Sequence, residues 1–134
     1  MGKRRREPQW VERVVVDAVH LDQLREHGGL PGIRDENALE SALARPRNQW
    51  HYQAATDVAA LAAAYGWGLA NNHPYRDGNK RIAFLAMAIF VELNGHRLEA
   101  PEEEVVQAML AVADRRCSEG EFAEWIRAHV VKKR

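Results

Sequence analysis

The sequence predicts an all-α, single-domain protein in which about six helices pack around a buried central helix. The chain has 134 residues, the size of one domain that buries about two-thirds of its unfolded surface. Apolar residues make up 46% of the chain and charged residues 28%, which is the composition of a folded globular domain. Apolar residues recur at helical spacing in most segments, and capping residues, glycine or proline separate the segments.

The first half of the chain predicts three helices. The first covers about residues 14–27, and the glycine-rich run of residues 28–32 ends it. Asp35 is an N-cap for a second helix to about Arg45, since Pro46 follows. Thr56 or Asp57 can cap a third helix, whose apolar face is formed by Val58, Leu61, Ala62, Tyr65 and Leu69. Residues 46–55, which include Trp50, His51 and Tyr52, are left as a loop or a short β-hairpin.

The fourth predicted helix is the most apolar. It begins near Asn79 and ends at Asn94-Gly95, a good C-terminal signal. Residues 82–91 are apolar on every face, which predicts that this helix is the buried centre of the bundle.

Two further helices complete the predicted bundle. Pro101 fits the first turn of a fifth helix, with Glu102, Glu103 and Glu104 near its positive end. Ser118 and Glu121 have the spacing of a capping box for a sixth helix, which reaches about Val130. Short segments near Val14 and at His96–Leu98 are compatible with strands, but no sheet is expected.

Charge and cysteine content limit the classes of function. The formal net charge is zero, so no overall field attracts nucleic acid or a membrane surface. Cys117 is the single cysteine, and the longest apolar run is far shorter than the ~20 residues of a membrane span. We therefore expect a cytoplasmic protein with one domain over residues 1–134, whose basic ends, residues 1–9 and 131–134, are flexible tails.

The segment HPYRDGNKR, residues 73–81, carries the candidate chemistry. Its second half begins the apolar fourth helix, and a helix N-terminus presents unpaired N–H groups and partial positive charge to anions. Gly78 permits close approach of a ligand to the backbone, while Lys80 and Arg81 add two full charges. These features predict a phosphate site at the start of the helix.

The first half of the segment adds reactive groups. Pro74 disfavours helical geometry at His73, so the third helix should end there and leave the imidazole in a loop, able to take up a proton. Asp77 is an oxygen ligand for Mg²⁺, and Tyr75 is expected to turn inward as an anchor. A base, a metal-binding carboxylate and a cationic phosphate site together indicate phosphoryl or nucleotidyl transfer.

Each of these residues also has an ordinary structural explanation. Histidine before proline and Asp-Gly are common in turns, and Asn79 can serve only as a helix cap. The convergence of all of them on the start of one buried helix favours a functional site. DNA binding through the same basic residues is disfavoured, because they lie at a buried helix start in a chain of balanced charge. His20, His51 and His96 form no metal-binding pattern and are interpreted as structural or surface residues.

This segment resembles the signature of the Fic/Doc family, HxFx(D/E/N)(G/A)N(G/K)R, with Tyr75 in place of the usual Phe. The stretches at residues 28–36, 39–43 and 91–95 resemble Doc-type proteins, so the similarity spans about residues 20–98. The resemblance implies the Fic fold and a nucleotide-dependent enzyme that modifies proteins.

The resemblance also implies roles for the residues of the signature. His73 would be the general base that deprotonates a hydroxyl of the target protein, and Asp77 would coordinate magnesium. Gly78 and Asn79 would bind phosphate through the loop backbone and the Asn side chain. Arg81 would neutralise phosphate charge.

Lys80 distinguishes two branches of the family. Members that transfer AMP usually have Gly at this position and a second Arg three residues after the first, where this chain has Phe84. Doc-type kinases have Lys, which favours the nucleotide orientation that presents the γ-phosphate of MgATP. The resemblance therefore favours phosphorylation of a Ser or Thr hydroxyl. Transfer of AMP and a catalytically silent nucleotide- or antitoxin-binding module remain the alternatives.

The resemblance also implies partners. In the family, the loop before the third helix forms a flap that aligns the target segment, and residues 46–55 occupy that place; Trp50 either contacts a partner or packs on the core. The chain has no (S/T)xxxE(G/N) segment of the kind by which many Fic proteins restrain themselves. A separate antitoxin polypeptide, bound as a helix in a groove of the bundle, is therefore expected. The implied target is a translation factor such as elongation factor Tu.

Overall fold

A computed structural model describes residues 5–133, and its secondary structure is almost entirely helical. The elements, in chain order, are α1 (Arg13–His27), α2 (Glu36–Tyr52), α3 (Val58–Asn72), α4 (Asn79–Leu93), β1 (His96–Leu98), α5 (Glu102–Ala113), α6 (Glu119–His129) and β2 (Val130–Lys132). The predicted all-α bundle of six helices is confirmed. None of the helices described is long and apolar enough to cross a membrane.

Helix α3 lies at the centre of the bundle, in contact with α2, α4, α5 and α6. Most of its residues are buried, and many of them are alanine or glycine, which lets the neighbouring helices come close. At Gly66 the approach is extreme: an added Cβ would lie 2.2 Å from the sulfur of Met87 in α4. Small residues on α3 therefore allow large residues of α4 to fill the core.

Helix α4 is buried on one face and is less enclosed than its uniformly apolar sequence predicts. Its buried residues are Ile82, Ala83, Ala86, Met87, Phe90 and Val91. Phe84 and Leu85, on another face, are only half-buried. Helix α3 is the more enclosed of the two, because its small side chains leave room for neighbours on several sides.

The helix ends follow the predicted capping residues. Asp57 caps α3 by accepting from the amide of Ala60 at 2.9 Å, and Asp35 caps α2 in the same way. Ser118 and Glu121 form the reciprocal capping box of α6. Each cap satisfies N–H groups that have no partner within the helix.

The prediction that α2 ends before Pro46 is wrong, and so is the loop or hairpin predicted for residues 46–55. Helix α2 continues through Pro46 to Tyr52. Proline removes one helical hydrogen bond, but Pro46 itself is fully buried, and Trp50 beyond it packs edge-on against Trp10 at 6.5 Å. Burial therefore compensates for the missing bond. The apolar spacing of Leu39, Leu43, Pro46 and Trp50 was the signal for a continuous helix.

The exposed connection between α2 and α3 is consequently short, at residues 53–57. Trp50 is half-buried and also lies beneath the guanidinium of Arg5, 4.3 Å from the centre of the ring. Of the two roles considered for Trp50, packing on the core is the one that the structure shows. Tyr52, at the end of α2, is 87% exposed.

A small antiparallel sheet was not expected. His96–Leu98 forms β1, as the sequence allowed, and pairs with β2 at the end of the chain, with Arg97 opposite Val131. The partner strand is more than thirty residues away in sequence, so no local pattern indicates the pairing. Val14, also compatible with a strand, lies in α1, as the helix predicted over about residues 14–27 requires.

The described parts of both predicted tails make contacts, which differs from the flexible tails expected at residues 1–9 and 131–134. Gln9 and Asn94 exchange two hydrogen bonds, from Gln9 N to Oδ1 at 2.8 Å and from Nδ2 to the Gln9 carbonyl at 2.9 Å. The amide of Lys133 donates to the carbonyl of Gly95 at 3.0 Å. The remaining tail residues, 1–4 and 134, lie outside the described residues.

Candidate functional site

The candidate site is built on the loop of residues 73–78, which joins the two central helices. Helix α3 ends at Asn72, immediately before His73, and α4 begins at Asn79, both as predicted. His73 adopts a left-handed backbone conformation, with φ 49° and ψ 55°. This conformation is unfavourable for residues other than glycine, and such strain is found most often at functional sites.

Arg34 supports the main chain around His73. Its guanidinium donates from Nε to the carbonyl of His73 at 2.6 Å and from a terminal nitrogen to the carbonyl of Asn72 at 2.8 Å. These bonds occupy the carbonyls at the end of α3, while the side chain of His73 is exposed. Sequence reasoning missed this role, because only the fold brings residues 34 and 73 together.

The segment of residues 28–36 braces the loop along its length. The carbonyl of Pro74 accepts from the amides of Arg34 and Asp35, at 2.8 and 3.1 Å. Ile33 and Tyr75 form an isolated antiparallel bridge. The stretch that resembles Doc-type proteins in sequence thus lies against the signature in the structure.

The N-terminus of α4 is open. Its first helical hydrogen bond runs from Ile82 N to the carbonyl of Gly78 at 2.9 Å, so the preceding amides of Asn79, Lys80 and Arg81 have no acceptor within the helix. Gly78 is the N-cap residue and supplies no side-chain cap. The side chains of Lys80 and Arg81 are exposed beside these amides. The arrangement can bind an anion such as phosphate.

Asn79 supports the loop through its side chain. Its Oδ1 accepts from the amide of Tyr75 at 3.0 Å, and its Nδ2 donates to the carbonyl of the same residue at 2.9 Å. Both polar atoms of the side chain are therefore engaged within the loop, and the group left for phosphate is the backbone N–H. The predicted phosphate contact of the Asn79 side chain stays a prediction.

Asp77 presents an exposed carboxylate at the edge of the open helix end. One oxygen accepts from the amide of Gly78 at 2.9 Å and the other from the amide of Leu30 at 3.2 Å. Among the residues that the structure describes, no group of three metal-ligating side chains surrounds it. A single oriented carboxylate fits Mg²⁺, which takes its other ligands from water and substrate phosphates.

A layer of side chains from α1 lies beneath the loop. The ring of His20 stacks on the ring of Tyr75, with 3.7 Å between centroids, and Nε2 of His20 lies 2.8 Å from the carbonyl of Asp77. The hydroxyl of Tyr75 donates to Asp17 at 2.7 Å. Burial, and then the Asp17 carboxylate, raise the pKa of Tyr75 well above its usual value. Tyr75 is thus the inward anchor that the sequence predicted.

An apolar groove of about 390 Å³ begins next to the open end of α4 and runs between α1, α4 and α5. Lys80 and Arg81 line it together with Phe84 and Leu85 on the following turn, and α5 contributes Val106 and Met109. The cationic and apolar walls are continuous with the candidate phosphate site.

The model of the Fic/DOC family matches residues 10–91, which is more than half of the chain and includes the whole loop of residues 73–78. The chain belongs to the Fic/DOC family. The resemblance inferred from the signature is therefore confirmed.

Within the Fic/DOC family, the chain is similar to two proteins named Doc. It is 31% identical over 86 residues to "Protein kinase doc" of Escherichia phage P1, which covers 63% of this chain and 68% of that protein. It is 39% identical over 74 residues to "Toxin Doc" of Mycolicibacterium smegmatis (strain ATCC 700084 / mc(2)155), which covers 54% of this chain and 57% of that protein. The likeness to Doc-type members expected from the sequence is confirmed.

Proposed function

We propose that this Fic/DOC protein is a Doc-type toxin that transfers the γ-phosphate of MgATP to a Ser or Thr hydroxyl of a protein target. One observation carries the proposal. An exposed imidazole, an oriented carboxylate and the open N-terminus of α4 all lie within the short segment of residues 73–81. The kinase named among its relatives supports the choice of reaction.

In the proposed reaction, His73 accepts the proton of the target hydroxyl as its oxygen forms a bond to the γ-phosphorus. The bond from this phosphorus to the bridging oxygen breaks, and ADP leaves with the electron pair. The amides of Asn79, Lys80 and Arg81 face the phosphate oxygens, and hydrogen bonds preorganised in this way stabilise developing charge. The exposure of His73 lets a protein hydroxyl reach it.

Asp77 would hold the magnesium ion, which supplies charge neutralisation at the nucleotide phosphates. The carboxylate is prepared for this role because two backbone amides fix its orientation. Arg81 contributes a full positive charge next to the same phosphates.

Lys80 favours phosphate transfer over AMP transfer. Its long side chain occupies the first turn of α4, where a glycine would leave room for an α-phosphate, and Phe84 on the next turn offers no cation to a second phosphate group. AMP transfer is the alternative within the same chemistry. A silent nucleotide- or antitoxin-binding module is the alternative from another class, and the exposed imidazole of His73 argues against it.

One experiment separates these three possibilities. The protein is incubated with candidate translation factors, including elongation factor Tu, and MgATP labelled at either the α- or the γ-phosphate. We expect only γ-label on the target and a mass gain of one phosphate. Label from the α-phosphate with a gain of one AMP would establish the alternative chemistry. No label from either phosphate on any of these factors, or on any protein of a host lysate treated in the same way, would leave only the silent module.

We also propose that a separate antitoxin polypeptide restrains the enzyme by binding in the groove between α1, α4 and α5. The groove has an apolar floor that suits one face of an amphipathic helix, and Lys80 and Arg81 at its end are placed to meet acidic groups. Expression of the chain alone should arrest growth of the host. Unimpaired growth of cells that contain protein competent to bind ATP would contradict the role of toxin.

A further inference from the structure

His20 is a buried histidine, with 5% of its surface exposed. It lies on α1, outside the signature, and none of the steps proposed above uses it. Burying an imidazole is unfavourable unless its polar atoms find partners. The partner of its Nε2 atom belongs to the candidate site.

Nε2 of His20 donates a hydrogen bond to the carbonyl of Asp77, across 2.8 Å. A carbonyl oxygen only accepts, so Nε2 must carry the hydrogen. The N–H of the same peptide group, on Gly78, donates to Oδ1 of Asp77 at 2.9 Å. Both polar ends of the Asp77–Gly78 peptide are therefore held, one of them by α1.

The orientation of this peptide decides what the site presents. Gly78 has φ 75° and is the residue from which α4 starts. If the peptide turned, Gly78 N–H would leave the carboxylate of Asp77, and the first open amides of α4 would change direction. His20 also fills the space below, since its Nε2 and Cδ2 atoms lie 3.7 and 3.8 Å from an added Cβ at Gly78.

The middle of the loop is held from the same helix. The ring of His20 stacks on Tyr75 at an interplanar angle of 15°, and Tyr75 bonds Asp17 one turn earlier in α1. The backbone of Tyr75 is in turn fixed by Asn79. One face of α1 thus supports the loop at Tyr75 and at the Asp77–Gly78 peptide.

We propose that His20 is a positioning residue for the Fic/DOC site: it fixes the Asp77–Gly78 peptide so that the carboxylate and the open N–H groups face the same MgATP. His20 itself contacts neither nucleotide nor target. The part of this inference that concerns MgATP rests on the proposed function. The part that concerns the order of the loop does not.

The order of the loop is tested in the ligand-free protein by amide hydrogen exchange at Gly78, measured by NMR. His20→Phe keeps a ring to stack on Tyr75 but removes the donor, and His20→Gln keeps a donor near the position of Nε2. Val16→Ala, one turn earlier in α1 at a residue 1% exposed, is the matched control for general loss of stability. Should His20→Phe fail to fold, His20→Leu takes its place.

We expect His20→Phe to speed exchange at Gly78 about fivefold to tenfold, the effect of one net hydrogen bond, and His20→Gln to restore most of the protection. Val16→Ala should leave Gly78 unchanged while it lowers the melting temperature. Equal exchange at Gly78 in His20→Phe and Val16→Ala would overturn the proposal.

Calorimetric titration with MgATP is the second measurement. His20→Phe should weaken binding by a similar factor, and His20→Gln should bind nearly as tightly as the unaltered protein. If the unaltered protein failed to bind MgATP, the proposed function would fall, whereas the exchange result would still decide whether His20 holds the loop. Unchanged MgATP affinity in His20→Phe would overturn the positioning role in binding.

Discussion

The N-termini of α3 and α4 differ although the two helices are neighbours of the same length. At α3, the carboxylate of Asp57 caps the first turn and pairs with Arg127 of α6. At α4, Gly78 provides no side-chain cap, and the first turn contains no acidic residue but carries Lys80 and Arg81. The closed end serves stability. At α4, the corresponding N–H groups stay available to an external anion, and the helix lacks the stabilisation of a side-chain cap.

The largest expected effect concerns the residue beside the open end. His73→Ala should lower the rate of target modification about 10²- to 10⁴-fold, because it removes the proposed general base. Its melting temperature should stay nearly unchanged, since the side chain is exposed. The rate is measured with γ-labelled ATP and the melting by circular dichroism.

His73→Gly sharpens this comparison. It removes the proposed base and also relieves the left-handed strain at φ 49°, so it should raise the free energy of unfolding by about 1 kcal/mol while activity is lost. Activity equal to that of the unaltered protein in either variant would exclude His73 as the base.

The second prediction tests the packing of α3 against α4, on which the positions of both helix N-termini depend. Gly66→Ala would place a Cβ 2.2 Å from the sulfur of Met87 and 2.9 Å from the ring of Phe122. Overpacking of this kind costs about 1–3 kcal/mol of stability, measured by urea unfolding. Gly120→Ala is the control, because the atom nearest to an added Cβ is Ser118 Oγ at 3.8 Å, and the change should be neutral or stabilising. No destabilisation by Gly66→Ala would show that α3 and α4 can separate more easily than their contacts indicate.

The third prediction concerns removal of the side-chain cap of α3. Asp57→Ala should cost about 1 kcal/mol through loss of the α3 cap, while the exposed pair with Arg127 adds little. MgATP binding should stay unchanged. Weaker MgATP binding in this variant would contradict the separation of the two helix ends.

Asp57 also predicts a dependence of stability on pH. The hydrogen bond from Arg127 holds the pKa of Asp57 below its ordinary value of 3.8. The contribution of the carboxylate is therefore complete above that value and is lost as the pH falls through the lower pKa of the folded state. Asp57→Asn, which keeps an oxygen acceptor for the cap, should lack this contribution. If the unaltered protein and Asp57→Asn lost the same free energy of unfolding as the pH fell through this range, the prediction would be wrong.

The smallest expected effect is a gain in stability. Lys80→Ala removes a cation from the positive end of a helix, so it should raise the free energy of unfolding by about 0.3–1 kcal/mol. It should at the same time weaken MgATP binding. Lys132→Ala, outside the site, is the control for loss of one positive charge. A variant that gains no stability and binds MgATP as before would show that Lys80 plays no part in the open end.

Local patterns predicted the helix ends well. Asp35 and Ser118 cap the helices that the sequence assigned to them, and Asp57, one of the two candidates with Thr56, caps α3, because capping depends on residues three positions apart. The start of α4 and the exposure of His73 followed from Pro74 and Gly78 in the same local way. The end of α2 was not predicted correctly from local sequence, because burial of Pro46 outweighed the local preference of proline to end a helix.

The sequence by itself determined the helical class, the signature and the position of an open helix N-terminus, since these depend on the order of neighbouring residues. Only the tertiary structure decided that α3 lies deeper than α4, that β2 pairs with β1, and that Arg34 and His20 hold the loop from other elements. Those contacts join residues that are tens of positions apart. Their formation depends on how the helices pack, and helix packing follows from side-chain shapes across the whole core rather than from any one segment.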